Sequence, residues 1–278
     1  MRTVTAETIK KTVADLCFQA NLFLRRDVLA QLKVAYAKEK NKKAKNILGA
    51  IVKNASIAAR EKLAICQDTG MPIVFLEAGQ GVKIAGDLKS AINKGIESGY
   101  RKGYFRDSVI RDPLSRGRPA YQPAVIHADI ARGNKLKITV LPKGFGCENK
   151  SALKMFRPTA GLEEIKEFIV QSVESAGPDA CPPYIVGVGI GGTADYAALL
   201  AKKALLRNIG HKVTRSQGHK LGQDLLREIN RLNIGPMGLG GKCTCLAVNI
   251  ETYPTHIAGL PVAVNISCHV LRSATAIL

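Results

Sequence analysis

From Ile9 to Leu63 the apolar side chains recur at helical spacing, and beyond that point the rhythm stops. Ile9, Val13, Leu16, Cys17 and Ala20 form one stripe. Leu29, Leu32, Val34 and Tyr36 form another, and Ile47, Ile51, Ile57 and Leu63 continue the pattern. That period places the side chains on one face of an α-helix, so residues 5–62 are expected to be helical. Shorter runs follow. Met71-Pro72-Ile73-Val74-Phe75-Leu76 comes after a glycine and reads as a strand. Asp87 to Ser98 reads as a helix, with Asp87 as N-cap and Gly99 as its stop. Ala124–Ile130 and Leu136–Leu141 alternate like a hairpin, with Arg132-Gly133-Asn134-Lys135 as the turn. Helices are expected at 162–176, 193–207 and 219–232, and strands at 184–190, 244–250 and 261–267. The fold class is therefore α+β (mixed α/β). It is read as one domain over 1–278, with a largely helical portion to about residue 63 and a mixed portion from 64.

No apolar run reaches membrane-spanning length, and Met1-Arg2-Thr3-Val4-Thr5 lacks a signal-peptide core, so a cytoplasmic protein is expected. Seven cysteines without a compact framework suit a reducing compartment. The charge is the oddity, with 41 Lys+Arg against 22 Asp+Glu, a net of +19. Nucleic-acid binding is one reading of it. The densest cluster, Lys38, Lys40, Lys42, Lys43 and Lys45, has no interleaved aromatic for base stacking. A solvated basic surface is favoured, and it would also attract a dianionic substrate or an acidic partner.

Two glycine-rich segments imitate nucleotide motifs. Gly187-x-Gly189-x-x-Gly192 matches a dinucleotide fingerprint, yet no Asp or Glu lies between Asp195 and Asp224 to hold a ribose. A structural or substrate-facing glycine turn is expected instead. Gly238-Leu239-Gly240-Gly241-Lys242-Cys243 fails as a phosphate loop, because Pro236 and Cys243 stand where Gly and Ser/Thr are needed. A third segment, Lys143 to Ser151, reads as a glycine-rich loop before a helix, with amides that could grip a carboxylate.

Cys66, Cys181 and Cys268 sit far apart, each in a segment that breaks regular structure, and no pair has the Cys-x-x-Cys spacing of a zinc knuckle. Spacing alone leaves both a shared metal site and three unrelated thiols open. Cys17 lies on an apolar helix face. Cys243 and Cys245 should share one face of a strand, and Cys147 reads as a buried loop thiol.

The flanking words say more. Cys66-Gln67-Asp68-Thr69-Gly70, Gly187 to Thr193, Ile234 to Gly241, Glu251 to His256 and Asn265-Ile266-Ser267-Cys268-His269 closely resemble the class I, iron–sulfur fumarate hydratases. The related tartrate dehydratases share that plan. The resemblance runs from about Cys66 to the C-terminus, more weakly through the helical start, and covers the alpha chain of two-subunit members. It implies a 4Fe–4S cluster on Cys66, Cys181 and Cys268 with one iron left open as a Lewis acid. It implies Asp68 as acid–base residue, Gln67, Arg106 and His256 as substrate-binding side chains, and Gly144 and Gly146 as the source of backbone contacts. It also implies a beta subunit completing a hetero-oligomer, expected as a dimer of alpha–beta pairs.

Each role has a plainer counterpart. Asp68 could merely brace the turn before Thr69-Gly70, and Arg106 could pair with Asp107 or Asp112 on the surface. His127, His211 and His219 read as structural or solvated, and His269 as a support for the neighbouring cysteine. Two departures stand out: Cys147 occupies a position where the family usually has Ser, and Arg116 to Gln122 replaces an Asn/Asp-rich segment. The expected reaction is reversible hydration of fumarate to (S)-malate. The alternatives are tartrate to oxaloacetate on the same plan, and a basic nucleic-acid-binding protein without catalysis.

Overall fold

The structure, a computed structural model, describes residues 1–210 and 217–278, so His211 lies outside the described residues. They divide into two compact units: Met1–Arg25, Ala55–Phe145 and Arg272–Leu278 in the first, Arg26–Asn54 and Gly146–Leu271 in the second. Helices and mixed sheets occur in both, so the fold is α+β as expected. The helical start contributes to both units: α1 (Ala6–Leu22) to the first, α2 (Arg26–Lys38) to the second, and α3 (Lys42–Glu61) crossing the division in sequence.

In the first unit, α1 starts where the Thr5 hydroxyl accepts the Thr8 amide at 3.2 Å. Helix α4 (Leu88–Lys102) starts at the expected cap, the Asp87 carboxylate accepting the Ser90 amide at 3.0 Å. Gly99 does not stop this helix, which runs to Lys102. Gly99 is instead a packing device: a Cβ there would lie 2.5 Å from the Ala14 carbonyl, so only glycine lets α1 and α4 approach this closely. β1 (Arg2–Thr5) pairs in parallel with β3 (Val82–Ala85).

A four-stranded sheet holds β2 (Met71–Gly79), β4 (Val125–Ala131), β5 (Leu136–Lys143) and β10 (Ala274–Ile277) in the order β10-β5-β2-β4. The expected hairpin is not formed. β4 and β5 flank β2, the first parallel to it and the second antiparallel. β2 is almost wholly buried and takes the centre, while the connection between β4 and β5 passes its end. There Gly133 and Lys135 accept the amides of Gly81 and Gly79 at 2.8 and 2.9 Å. Alternation in β4 thus marks an edge strand with one exposed face, not a hairpin arm. Val13, Leu16, Ile92, Ile96, Val74 and Val140 meet in this unit's core.

The second unit is a sheet ordered β6-β9-β7-β8, with β6 (Ala152–Phe156), β7 (Tyr184–Gly192), β8 (Cys245–Thr255) and β9 (Leu260–Ser267). Strand β7 has two dissimilar faces. Tyr184, Val186 and Val188 enter a core with Ile165, Ile169 and Val173 of α6 (Leu162–Ala176) and Leu225 and Ile229 of α8 (Gln217–Arg231). On the other face, Gly187 and Gly189 face α7 (Ala194–Leu206), where an added Cβ would lie 2.1 Å from the carbonyls of Ala201 and Ala197. Gly187 and Gly189 of the dinucleotide-like motif are therefore helix-packing positions within a strand, while Gly192 ends it with φ +71°.

The segment expected to lead into a helix instead contains one, the four-residue α5 (Phe145–Glu148), and then enters β6. Strand β8 begins at Cys245, so Cys243 lies outside it and the two thiols do not share a strand face. Among the described residues no helix is long and apolar enough to cross a membrane.

Candidate functional site

In the first unit the chain leaves α3 and crosses to β2 through Cys66, Gln67 and Asp68, with no regular element. Cys66 and Asp68 are half-buried, Gln67 is exposed, and Thr69 and Gly70 are buried. Gly70 has φ +76°, and a Cβ on it would lie 2.7 Å from the Pro142 carbonyl carbon, so glycine is required at this corner. The Asp68 carboxylate is held twice. Oδ1 accepts the Gly70 amide at 2.9 Å, and Oδ2 accepts the Phe145 amide at 2.9 Å. The turn-bracing role considered for Asp68 is thus real, but it engages one oxygen only.

Buried side chains grip the turn's main chain. The Tyr100 hydroxyl donates to the Thr69 and Gly70 carbonyls at 2.8 and 3.3 Å, and Thr69 donates to the Arg106 carbonyl at 2.9 Å. Burial raises the Tyr100 phenol well above its ordinary range, so it stays protonated and donates. Arg272, only 3% exposed, donates through Nη2 to the Asp68 carbonyl. Its Nε and Nη1 are buried and meet no acceptor among the described residues. Each such donor costs about 1–3 kcal/mol. Lys143 is buried in the same unit.

The expected substrate groups of this unit fall as follows. The Cys66 thiol donates to the Gln67 side-chain oxygen at 3.3 Å. The Arg106 side chain is exposed, and its guanidinium enters no ion pair among the described residues. Asp112, its candidate surface partner, is occupied by the amides of Leu114 and Ser115 and the Ser115 hydroxyl. Gly144 faces Asp68, with Oδ2 3.2 Å from where a Cβ would stand. Phe145, between the two expected glycines, gives its amide to Asp68. His127 of β4 stacks on Phe75 at 5.1 Å, a structural role.

In the second unit two of the three singled-out cysteines are drawn together. The Cys147 thiol, 5% exposed, accepts the Cys268 amide at 3.1 Å and donates to the Ala180 carbonyl at 3.5 Å, beside Cys181. His269 places Nδ1 2.9 Å from the Cys181 carbonyl, and the Cys268 sulfur accepts the Val270 amide at 3.3 Å. Cys181 itself takes φ +56°, a left-handed conformation uncommon for a side-chain-bearing residue. Beside this group Asn265 donates to Glu148 at 3.0 Å and to Ser151 at 2.8 Å, and Lys202 pairs with the same glutamate.

Gly146 is exposed with open space where a Cβ would stand. His256 is also exposed, and its Nδ1 accepts the Ala258 amide of its own turn at 3.1 Å. His219 lies in α8.

Six of the seven thiols fall into two groups, with buried Cys147 apart from both. Burial raises Cys17 and Cys245 far above the thiol range and pushes Cys243 up to about 12. These remain protonated and make poor metal ligands. Cys66, Cys181 and Cys268 are half-buried, and none is in a disulfide. Among the described residues no three His, Cys, Asp or Glu side chains are gathered to hold a single metal ion. A cluster of several irons needs wider spacing. Cys66 belongs to the first unit and Cys181 and Cys268 to the second, and thiols left accessible in this way are the donor type that iron–sulfur clusters take.

The other glycine-rich loop is closed. The Gly241 amide goes to Asn233 at 2.9 Å and the Lys242 amide to Glu39 at 2.8 Å, so these groups are not presented to a phosphate. Sequence reasoning missed Tyr100, Arg272, Glu148 and Glu39. Only Arg272 carried a local signal, a single charge in the otherwise uncharged stretch from Val270 to Leu278.

Comparison with known proteins gives the chain its relatives. The sequence model of a family described as fumarate hydratase (Fumerase) matches residues 10–277. A Methanocaldococcus jannaschii protein, provisionally named L(+)-tartrate dehydratase subunit alpha, is 40% identical over 273 residues, 96% of each chain. Proteins named L(+)-tartrate dehydratase subunit alpha from Escherichia coli and Shigella sonnei are 29% identical over 271 residues, 96% of this chain and 89% of theirs.

Proposed function

This chain belongs to the fumarate hydratase (Fumerase) family and is a hydro-lyase, and on that premise we propose that it is the alpha subunit of a 4Fe–4S-dependent enzyme that adds water to, or removes it from, a four-carbon dicarboxylate. The observation carrying this reading is the Asp68 turn. A half-buried carboxylate adjoins the Cys66-Gln67 pair and is fixed through both oxygens by the amides of Gly70 and Phe145.

Cys66, Cys181 and Cys268 would hold the cluster. When bound, it supplies an iron without a protein ligand, a Lewis acid that makes the substrate hydroxyl a better leaving group. Asp68 takes the proton from the neighbouring carbon in dehydration and returns it in hydration. Its amide contacts hold the carboxylate still, which keeps the proton path short. Gln67, freed from the Cys66 thiol when that sulfur becomes a ligand, hydrogen-bonds the substrate. Arg106, with no carboxylate engaged among the described residues, binds one substrate carboxylate through both prongs, and His256 binds the other. The Gly144 to Gly146 segment admits substrate close to the backbone. A beta subunit completes the site, and the relatives' designation as alpha subunits supports a partner of that kind. The net charge of +19 suits a dianionic substrate or an acidic partner.

Two substrates compete. Reversible conversion of fumarate to (S)-malate is the first reading, supported by the family's description. Dehydration of tartrate to oxaloacetate is the second, supported by the names of the relatives at 40% and 29% identity. The test is anaerobic assembly with the partner subunit, cluster loading, and side-by-side assay of malate and tartrate. Turnover of either that disappears with Cys181→Ser supports the reading, and the preferred acid names the substrate. Inactivity with both in a cluster-loaded complex contradicts it.

A further inference from the structure

We propose that Arg272 is a positioning residue for Asp68, gripping the main chain of its turn from the buried side and so fixing where the carboxylate stands. The inference rests on the acid–base reading of Asp68. The carbonyls of Asp68, Thr69 and Gly70 all receive donors from buried side chains, Arg272 for the first and Tyr100 for the other two. A charged donor on a carbonyl is stronger than a neutral one, so Arg272 contributes the firmest of these holds. Its own backbone is set by the sheet. Two residues on, Ala274 enters β10, which pairs with β5 from Ala274↔Val140 to Ile277↔Lys137. A side chain launched from a strand end is placed more accurately than one on a free loop.

The same guanidinium is a poor stabiliser. It is 3% exposed, and two of its three nitrogens meet no acceptor among the described residues. A methionine would fill much the same space; it strands the Asp68 carbonyl but removes two unmet donors, so the arginine adds little net stability. A group that adds little stability yet holds the proposed acid–base residue fits a role in activity.

The test compares Arg272→Met, Arg272→Lys and Asp68→Asn in the cluster-loaded complex with its partner subunit. The readouts are kcat, KM, Tm and visible cluster absorbance. For Arg272→Met, Tm and absorbance are expected to stay close to the parent's. KM should hold within about twofold while kcat falls at least about tenfold, since small misplacements of a catalytic group have large rate effects. Arg272→Lys should recover part of the loss, because an ammonium can still donate to the Asp68 carbonyl.

Parent-like kcat in Arg272→Met, with Asp68→Asn inactive, overturns the proposal. So does a fall of Tm and kcat together with a rise of KM, or failure to fold, either of which makes the arginine merely structural. Full turnover by Asp68→Asn removes the acid–base reading itself and the inference with it. That failure is distinguishable because it appears in a different variant.

Discussion

Two carboxylates in this chain collect main-chain amides in the same manner and end in different surroundings. Glu39 takes the amides of Lys40 and Asn41 on one oxygen, both at 2.9 Å, and that of Lys242 on the other at 2.8 Å. Asp68 takes Gly70 from its own turn and Phe145 from a glycine-rich loop 77 residues away. Each thus joins a local turn to a distant loop. Glu39, however, is 3% exposed, and a Cβ on Gly241 would stand 2.8 Å from it, so the clamp is sealed. Asp68 is half-buried, with glycine alone on the Gly144 side and an exposed glutamine beside it. Hydrogen-bond pattern does not separate the Glu39 clamp from the acid–base role proposed for Asp68; access does.

The largest effect should come from the cysteines proposed to hold the cluster. Cys181→Ser or Cys268→Ser is expected to abolish visible cluster absorbance and measurable turnover, read by anaerobic spectroscopy and assay, while leaving the Glu39 clamp intact. Air exposure of the parent should likewise abolish turnover, because one cluster iron would have no thiolate to retain it.

Next in size is the clamp. Glu39→Ala strands three amides and should cost about 3 kcal/mol in denaturant unfolding, with turnover of the folded fraction unchanged. Loss of turnover without loss of stability would break the comparison.

A smaller effect concerns pH. Burial raises Glu39, but the amides of Asn41, Lys242 and Lys40 outweigh it and hold the carboxyl below its ordinary range. A depressed folded value adds stability above the unfolded value, about 4.3, and that stability is lost as pH falls through the folded value. The stability difference between the parent and Glu39→Gln should therefore shrink below about pH 4 in acid titrations.

Smallest is Cys147→Ser. A hydroxyl can still accept the Cys268 amide, so cluster absorbance should persist with a stability change under about 1 kcal/mol. Loss of the cluster would make Cys147 a ligand rather than a spacer.

What was legible in the sequence follows from the range of the interactions. Helices α1, α6 and α8 announced themselves because each presents one apolar face, and Asp87 did so because capping is local. The hairpin reading failed because adjacency in sequence says nothing about a third strand, and β2 came between the two. Gly99 misled for a related reason: its small size serves α1 across the interface, not the end of its own helix. In the candidate site, the motif around Cys66 named Asp68, and the turn geometry agrees with a fixed carboxylate. Its supports were not legible. Tyr100 is 31 residues from Thr69, and Arg272 is 204 from Asp68, distances over which no periodicity or motif carries information.

The most direct test sets the two carboxylates side by side in one cluster-loaded complex, measuring kcat and Tm for Asp68→Asn and Glu39→Gln. The account predicts that Asp68→Asn loses turnover by at least about a hundredfold with little change in Tm, while Glu39→Gln keeps turnover and melts earlier. Parent-like turnover in Asp68→Asn, or matching losses of Tm in both variants, would contradict it.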